Sequence, residues 1–389
     1  MANFVEYRAH NSRDSSPSIS QSIQAVAVGK TFQFGVFGAS GLSIAPNDPT
    51  YGEAIPQRAV PGSTNNITWF DLLALRAGNV MVEARNPGDS AVWDYFQLTV
   101  TANPAFYLYA GHFDMANFEA SMRSELARDP RFDATKIGSA QNLLTLIQSD
   151  PLIVDIRWMA YMLATAFWET TYPRFQEIPV LDRRTHTPVL NPDGTVATKK
   201  IIVSWKMTME PIEEYLFGAG RGYHMPVKVL PLPDGSARIT ENDGDQFTVS
   251  LEGKAVGITR RAKMGSPDGG ASANAYLIDP GTPLTYFGRG YVQLTWWVHY
   301  ASAGVAIGRG LDLLLHPELV EQPATAYALM SHGMRTGDGF ANGHKFVQYF
   351  SGNTTNYKGA RAMVNGVNHD AEIADYARMF ERCLVASKL

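Results

Sequence analysis

Tyr286-Phe287-Gly288-Arg289-Gly290-Tyr291-Val292-Gln293-Leu294-Thr295-Trp296 is a mixture that no ordinary core strand or helix takes: two glycines flank an arginine, and a glutamine and a threonine stand among large apolar residues. Glycines let backbone come close to a partner. Gln293 offers donors and acceptors, and Thr295 offers a hydroxyl two residues later, on the same side if the segment is extended. The segment is therefore expected to line a binding site. Upstream, Trp168-Glu169-Thr170-Thr171 closes an apolar helical run with a carboxylate, which makes Glu169 the natural chemical partner of this segment.

The chain around these segments has 389 residues, enough for a large core and, as a prior, for two domains. Its formal net charge of -4 and the lack of a Lys/Arg block argue against a nucleic-acid partner, because phosphate binding needs a concentrated basic face. The single cysteine, Cys383, leaves no intrachain disulfide and no thiolate metal cluster, so packing must hold the fold. Met1 to Ser20 lacks the basic start and apolar core of a cleaved export signal, so synthesis in the cytoplasm is expected. The longest apolar run, Trp158 to Trp168, is too short to span a bilayer, which takes about 20 residues.

From about Ser20 to Thr101 the pattern is one of strands and turns. Alternation over 79–85, a turn at Asn86-Pro87-Gly88-Asp89 and a run from Trp93 to Val100 describe neighbouring strands with one buried face. Thr101-Ala102-Asn103-Pro104 reads as a linker. After it come helices: one from Asn117, one over Ser139 to Gln148, and one starting at Asp150-Pro151, with Asp150 as N-cap, and ending at Glu169. Tyr161, Thr165 and Glu169 share a polar stripe on that third helix. Between about Val180 and Pro283 the turns Asn191-Pro192-Asp193-Gly194 and Pro233-Asp234-Gly235 read as the tips of hairpin insertions, and helices return after Trp297.

Hydrolysis of a glycosidic bond canonically uses two carboxyl groups. Glu169, at the end of an apolar helix, is the first candidate. The second could be Glu177, Glu210, or one of the pair Glu213-Glu214, of which at most one faces the cleft because adjacent side chains diverge. The glycines at 218, 220 and 222 around Arg221 match neither a phosphate loop nor a dinucleotide fingerprint. The nine histidines include no His-Glu-x-x-His and no pair at helical spacing, so no metal site is expected. Gly38-Ala39-Ser40-Gly41 is not a nucleophile elbow. Trp296, Trp297 and Tyr300 are either core aromatics or platforms for sugar faces.

The ordered motifs resemble the family 19 glycoside hydrolases, the chitinase and phage-endolysin group of the lysozyme-like superfamily. The resemblance covers roughly Ile153 to Leu384. It rests on Ala160-Tyr161-Met162-Leu163-Ala164-Thr165 leading to Glu169-Thr170, on Tyr286 to Trp296, on Ile307-Gly308 with Asp312-Leu313 and His316-Pro317-Glu318-Leu319, and on Tyr357 to Arg361 with Val364-Asn365-Gly366. The N-terminal strands resemble a bacterial immunoglobulin-like domain. Together these imply an all-β immunoglobulin-like sandwich over residues 1–104, a docking or spacer module, followed by a mainly α lysozyme-like catalytic domain over 105–389 with β-hairpin insertions at about 180–283.

The activity implied is inverting cleavage of β-1,4 bonds in bacterial peptidoglycan, without a cofactor. Glu169 falls on the family's acid and Glu214 on its base, with Glu213 and then Glu177 as alternatives, while Thr295 would help hold the attacking water. Gln293, Tyr161, Trp296, His299, Arg289 and Asn365 are the substrate-binding or cleft positions implied. In three places the chain departs from the family: Trp168 replaces the histidine before the acid, His299 replaces an asparagine, and the insertions separate the two carboxylates by more chain than usual. A chitinase is the alternative enzyme, and a non-catalytic wall-binding protein the alternative class. The partners expected are peptidoglycan glycan strands and a delivery machine or immunity protein. The expected place of action is the periplasm or wall, reached after lysis or injection.

Overall fold

The computed structural model describes residues 3–6, 23–28, 30–38, 41–57, 67–74, 77–86, 92–101, 107–259, 275–352 and 354–389. Most of the polar stretch Met1 to Ser20, of the turn Asn86 to Asp89 and of the linker Thr101 to Pro104, and half of Gly38 to Gly41, lie outside the described residues. Two compact units, interleaved in sequence, make up the chain: Met1–Asp114 with Thr145–Tyr161 and Ser331–Leu389, and Met115–Leu144 with Met162–Met330.

In the first unit, strands β1 (Asn3–Glu6), β2 (Ile23–Ala27), β3 (Thr31–Phe37), β4 (Ser43–Pro46), β5 (Ala54–Pro56), β6 (Ile67–Leu73), β7 (Gly78–Arg85) and β8 (Val92–Thr101) form two four-stranded sheets, in the orders β1-β3-β6-β5 and β2-β8-β7-β4. Period-2 alternation turns one face of each strand inward. Phe34, Phe70 and Leu72 from one sheet then meet Val82, Phe96 and Leu98 from the other in a common core. The Phe34 and Phe96 rings pack edge to face at 5.2 Å.

The same unit contains the C-terminal helices. Lys345 Nζ donates to Asp71 on β6 at 3.1 Å, and Arg335 pairs with Glu53. Around the first part of the third helix, Trp158 stacks on Phe346 at 4.6 Å, and the buried pair Asp155–Arg157 also holds the carbonyl of Gly352.

The expected start of that helix needs correction. Helices run over α1 (Met115–Glu125), α2 (Ile137–Ser149) and α3 (Ile156–Glu169). Asp150 does not cap α3: its carboxylate accepts the Leu152 N–H inside a turn, and Asp155 receives the Arg157 N–H at 2.9 Å where the helix begins. Two Asx-type starts lie five residues apart, and the buried ion pair selects the second.

In the second unit, β9 (Thr171–Pro179) and β10 (Thr198–Met207) make a long antiparallel hairpin. β11 (Ile212–Glu213) pairs with a two-residue strand at Arg289–Gly290. Strands β12 (Val227–Pro231), β13 (Ala237–Thr240), β14 (Gln246–Val249), β15 (Ala255–Thr259) and β16 (Thr282–Leu284) form a five-stranded antiparallel sheet in the order β15-β14-β13-β12-β16. One side of it packs on the helix Trp297–Ala306, with the Phe247 and Trp297 rings 5.2 Å apart.

This architecture overturns the expected fold class. Among the described residues helix accounts for 37% and strand for 30%, in many small sheets, so no clear mainly α catalytic domain of the expected lysozyme-like kind is seen among them. The span read as insertions is the reason. Five strands of three to five residues between Val227 and Leu284 supply a sheet with its own apolar face, and Val229, Ile239 and Val249 are fully or almost fully buried. They are a layer of the unit and not excursions from a helical one. Among the described residues no helix is long and apolar enough to cross a membrane.

Candidate active site

The chain from Glu169 to Glu214 looks long, but the hairpin closes at its base. Thr171 and Met207 are Cα partners, and the Thr208 N–H donates to the Thr170 carbonyl at 2.8 Å. Thr170 is the latch. Its fully buried hydroxyl donates to Ala166 O at 2.6 Å and accepts the Met209 N–H at 3.1 Å. Only six residues then lead from Thr208 to Glu214, a path of roughly 20 Å at full extension. The chain departure that seemed to separate the carboxylates is thus a protrusion, and Glu169 stands half-buried at the helix end beside its root.

Glu213 and Glu214 diverge, as adjacent residues leaving a strand should. Glu213 is exposed and approaches the Arg289 guanidinium at 3.9 Å. Glu214 is half-buried and held by three groups from two segments: the Gly288 N–H donates to Oε2 at 3.2 Å, the Tyr223 hydroxyl to Oε1 at 3.0 Å, and Arg221 Nε stands 3.7 Å away. Burial, followed by the charge of Glu214, pushes the Tyr223 hydroxyl up to about 12, so it remains a neutral donor to the carboxylate at any physiological pH. Glu210 is committed elsewhere, to Ser139 at 2.7 Å and Lys136 at 3.2 Å. Glu177 lies exposed on β9, in register with Lys200 and hydrogen-bonded to Thr198.

The glycines of the signature segment have specific work. A Cβ at Gly288 would lie 2.8 Å from Gln293 Oε1 and 3.2 Å from Glu214 Oε2. Gly290, at φ +80°, turns the chain so that Arg289 and Leu294 exchange backbone hydrogen bonds. That turn corrects the extended reading of the segment. Gln293 sits in the left-handed region at φ 51° and Thr295 lies beyond the closing bridge, so the two do not share a strand face. Gln293 spends its amide hydrogens on the Ile212 and Gly290 carbonyls at 3.0 and 3.1 Å, which ties the segment carrying Glu214 to this turn. We expect Gly288→Ala to push both side chains and to lower kcat by about tenfold, since sub-ångström misplacement of a reacting group is costly. Turnover compared with the thermal midpoint checks this: the midpoint should hardly move.

Arg289 is 5% exposed. Its guanidinium donates to Glu321 at 3.0 Å, to the Thr285 carbonyl at 3.1 Å and to the Tyr300 hydroxyl at 3.2 Å, and it lies over the Phe287 ring at 3.6 Å. Burial, then the neighbouring charge of Glu213, raises the pKa of Glu321 against the pull of Arg289. Thr295 is half-buried, and its carbonyl receives His299 Nδ1 at 2.9 Å. Trp296 is 44% exposed and meets Tyr223 edge to face at 5.5 Å. Trp168 lies under the Arg131 guanidinium at 3.7 Å.

Glu214, Gln293, Thr295, Trp296, His299 and Arg289 therefore belong to one neighbourhood of the second unit. Tyr161 and Asn365 belong to the first unit, Tyr161 buried against Phe346 and Phe350, and Asn365 exposed.

A pocket of about 80 Å³ opens beside Glu214's tyrosine, lined among others by Gly222, Tyr223, Glu241, Asn242, Trp296 and Trp297. Trp297 Nε1 donates to Glu241 at 2.9 Å. Sequence reading missed Tyr223, Arg221, Glu241 and Asn242. The one signal for the first two was the glycine series: a Cβ at Gly218 would meet the Tyr223 ring at 2.4 Å, and one at Gly222 the Trp296 ring at 2.9 Å. Among the described residues no group of three or more His, Cys, Asp or Glu side chains could hold a metal ion. No family model, curated protein or solved structure matches this chain.

Proposed function

We propose that the protein hydrolyses β-1,4 bonds of an N-acetylated bacterial glycan, peptidoglycan, with inversion at the anomeric carbon. The observation that carries this reading is the anchoring of Glu214. A carboxylate that accepts a backbone N–H and a tyrosine hydroxyl, beside an exposed tryptophan and a pocket, is fixed in direction. Such a group can take a proton from water. Glu169, at the end of α3, is the acid that protonates the leaving oxygen, and the two carboxyls would stand ~6.5–9.5 Å apart with the water between them. The hydroxyl of Thr295 would hold that water, and Trp296 would stack on a sugar face.

The ordered motifs shared with family 19 glycoside hydrolases support the same assignment of Glu169, Glu214 and Thr295. The protein would meet its substrate in the periplasm or wall, after lysis or injection. Incubation of the full chain with purified sacculi and, separately, with chitin oligomers tests the substrate, with products identified by mass spectrometry. Soluble disaccharide-peptide fragments are expected from sacculi. Release from chitin with intact sacculi would refute the peptidoglycan assignment.

A further inference from the structure

The β9–β10 hairpin is out of proportion to a structural role, since nearly every residue from Arg174 to Trp205 is exposed or half-buried. Its root, however, joins the site. Tyr215, the residue after Glu214, packs its ring against Phe175 at 6.0 Å and against Trp205 edge to face at 5.5 Å. Phe175 is 48% and Trp205 37% exposed, so both rings keep a solvent-facing surface. With Tyr223 and Trp296 following Glu214 along the chain, aromatic side chains flank the carboxylate in sequence on both sides. Rings of this kind offer large, rigid, amphipathic surface to a partner that is itself part apolar and part hydroxylated.

Charge adds a second, independent observation. Residues 171–207 hold six Lys/Arg and three Asp/Glu, in a chain whose net charge is -4. Arg183, Arg184, Lys199 and Lys200 are all exposed. Two of the three acids are turned to local use: Asp182 accepts the N–H groups of Arg184 and Thr185, and Asp193 accepts the N–H and hydroxyl of Thr195. A cationic arm on an anionic protein needs an anionic partner.

We propose that this hairpin is a substrate-recognition arm for a glycan that carries carboxylate side groups, the acidic stem peptides of a peptidoglycan strand. Sugar faces lie on Phe175, Trp205 and Tyr215, and stem carboxylates meet Arg183, Arg184, Lys199 and Lys200. The proposal rests on the reading of Glu169 and Glu214 as a glycan-cleaving pair. Chitin, being neutral, would engage the rings and gain nothing from the cations.

The test is co-sedimentation of the full chain carrying Glu214→Gln with purified sacculi or chitin beads, with and without Arg183→Glu, Arg184→Glu, Lys199→Glu and Lys200→Glu together. Charge reversal should weaken sacculus binding by about tenfold, the scale of four exposed ion pairs, and leave chitin binding unchanged. Raised salt should mimic it for sacculi alone. Phe175→Ala with Trp205→Ala should weaken binding to both polymers. Unchanged sacculus binding after charge reversal, or an equal loss on chitin, would overturn the arm. Co-sedimentation reports binding and not turnover, so the arm and the hydrolase reading fail separately. A wild-type chain that releases no reducing ends while its binding still tracks these four charges would refute the hydrolase reading and leave the arm standing.

Discussion

Glu214→Gln is expected to lower the release of reducing ends from sacculi by ~10²-fold or more, the scale of general acid-base catalysis, with folding preserved. The substitution keeps the shape of the side chain and lets its amide oxygen still accept from Tyr223 or Gly288, so the site should remain assembled. What it removes is the capacity to accept a proton. Glu169→Gln should cost as much on substrates with a poor leaving group, because it removes the donor at the other end of the reaction. Glu213→Gln is the control. Its carboxylate turns towards Arg289 and away from Tyr223, so turnover should change little. Equal activity of all three variants, with circular dichroism unchanged, would favour a wall-binding protein over an enzyme.

The second large effect is on stability. Arg289→Ala is expected to cost about 3 kcal/mol or more, because removing one member of a buried charged network leaves the others desolvated and unpaired. Glu321, the Thr285 carbonyl and the Tyr300 hydroxyl would each lose a donor, and the Phe287 ring its cation. Arg289→Lys should recover only part of the loss, since an ammonium cannot span the same three acceptors with a planar fork. Urea denaturation followed by tryptophan fluorescence measures it. A loss below about 1 kcal/mol, the range of exposed ion pairs, would mean that the network is not what holds this turn.

The elements that the sequence made legible are those whose signal is local. Short punctuation such as Asn191-Pro192-Asp193-Gly194 and Pro233-Asp234-Gly235 falls on the observed turns, where Gly194 and Gly235 take positive φ. The helix that ends at Glu169 was readable from its apolar run, although its start was not, because choosing between Asp150 and Asp155 depends on a buried arginine contact. What stayed hidden is non-local. The five-stranded sheet is built from strands of only three to five residues, too short for alternation to stand out, and its identity as a layer depends on pairing between Val227–Pro231 and Thr282–Leu284, some fifty residues apart.

The site divides in the same way. Glu169 and the Tyr286 to Trp296 segment announce themselves by residue type, whereas Tyr223 and Glu241 become visible only when the chain brings them to Glu214 and Trp297. Gln293 illustrates the limit from the other side. Its chemistry was readable, but its left-handed backbone and its use in tying Ile212 to Gly290 were not.

The anomeric form of the first product separates the proposed mechanism most directly from its alternatives. Proton NMR during early digestion of an N-acetylated β-1,4 oligomer or of sacculi should show newly formed ends as the α anomer, ahead of mutarotation, because in the proposed mechanism a water between Glu169 and Glu214 would attack from the face opposite the leaving oxygen. A β anomer at first appearance, or no new ends at all, would contradict it.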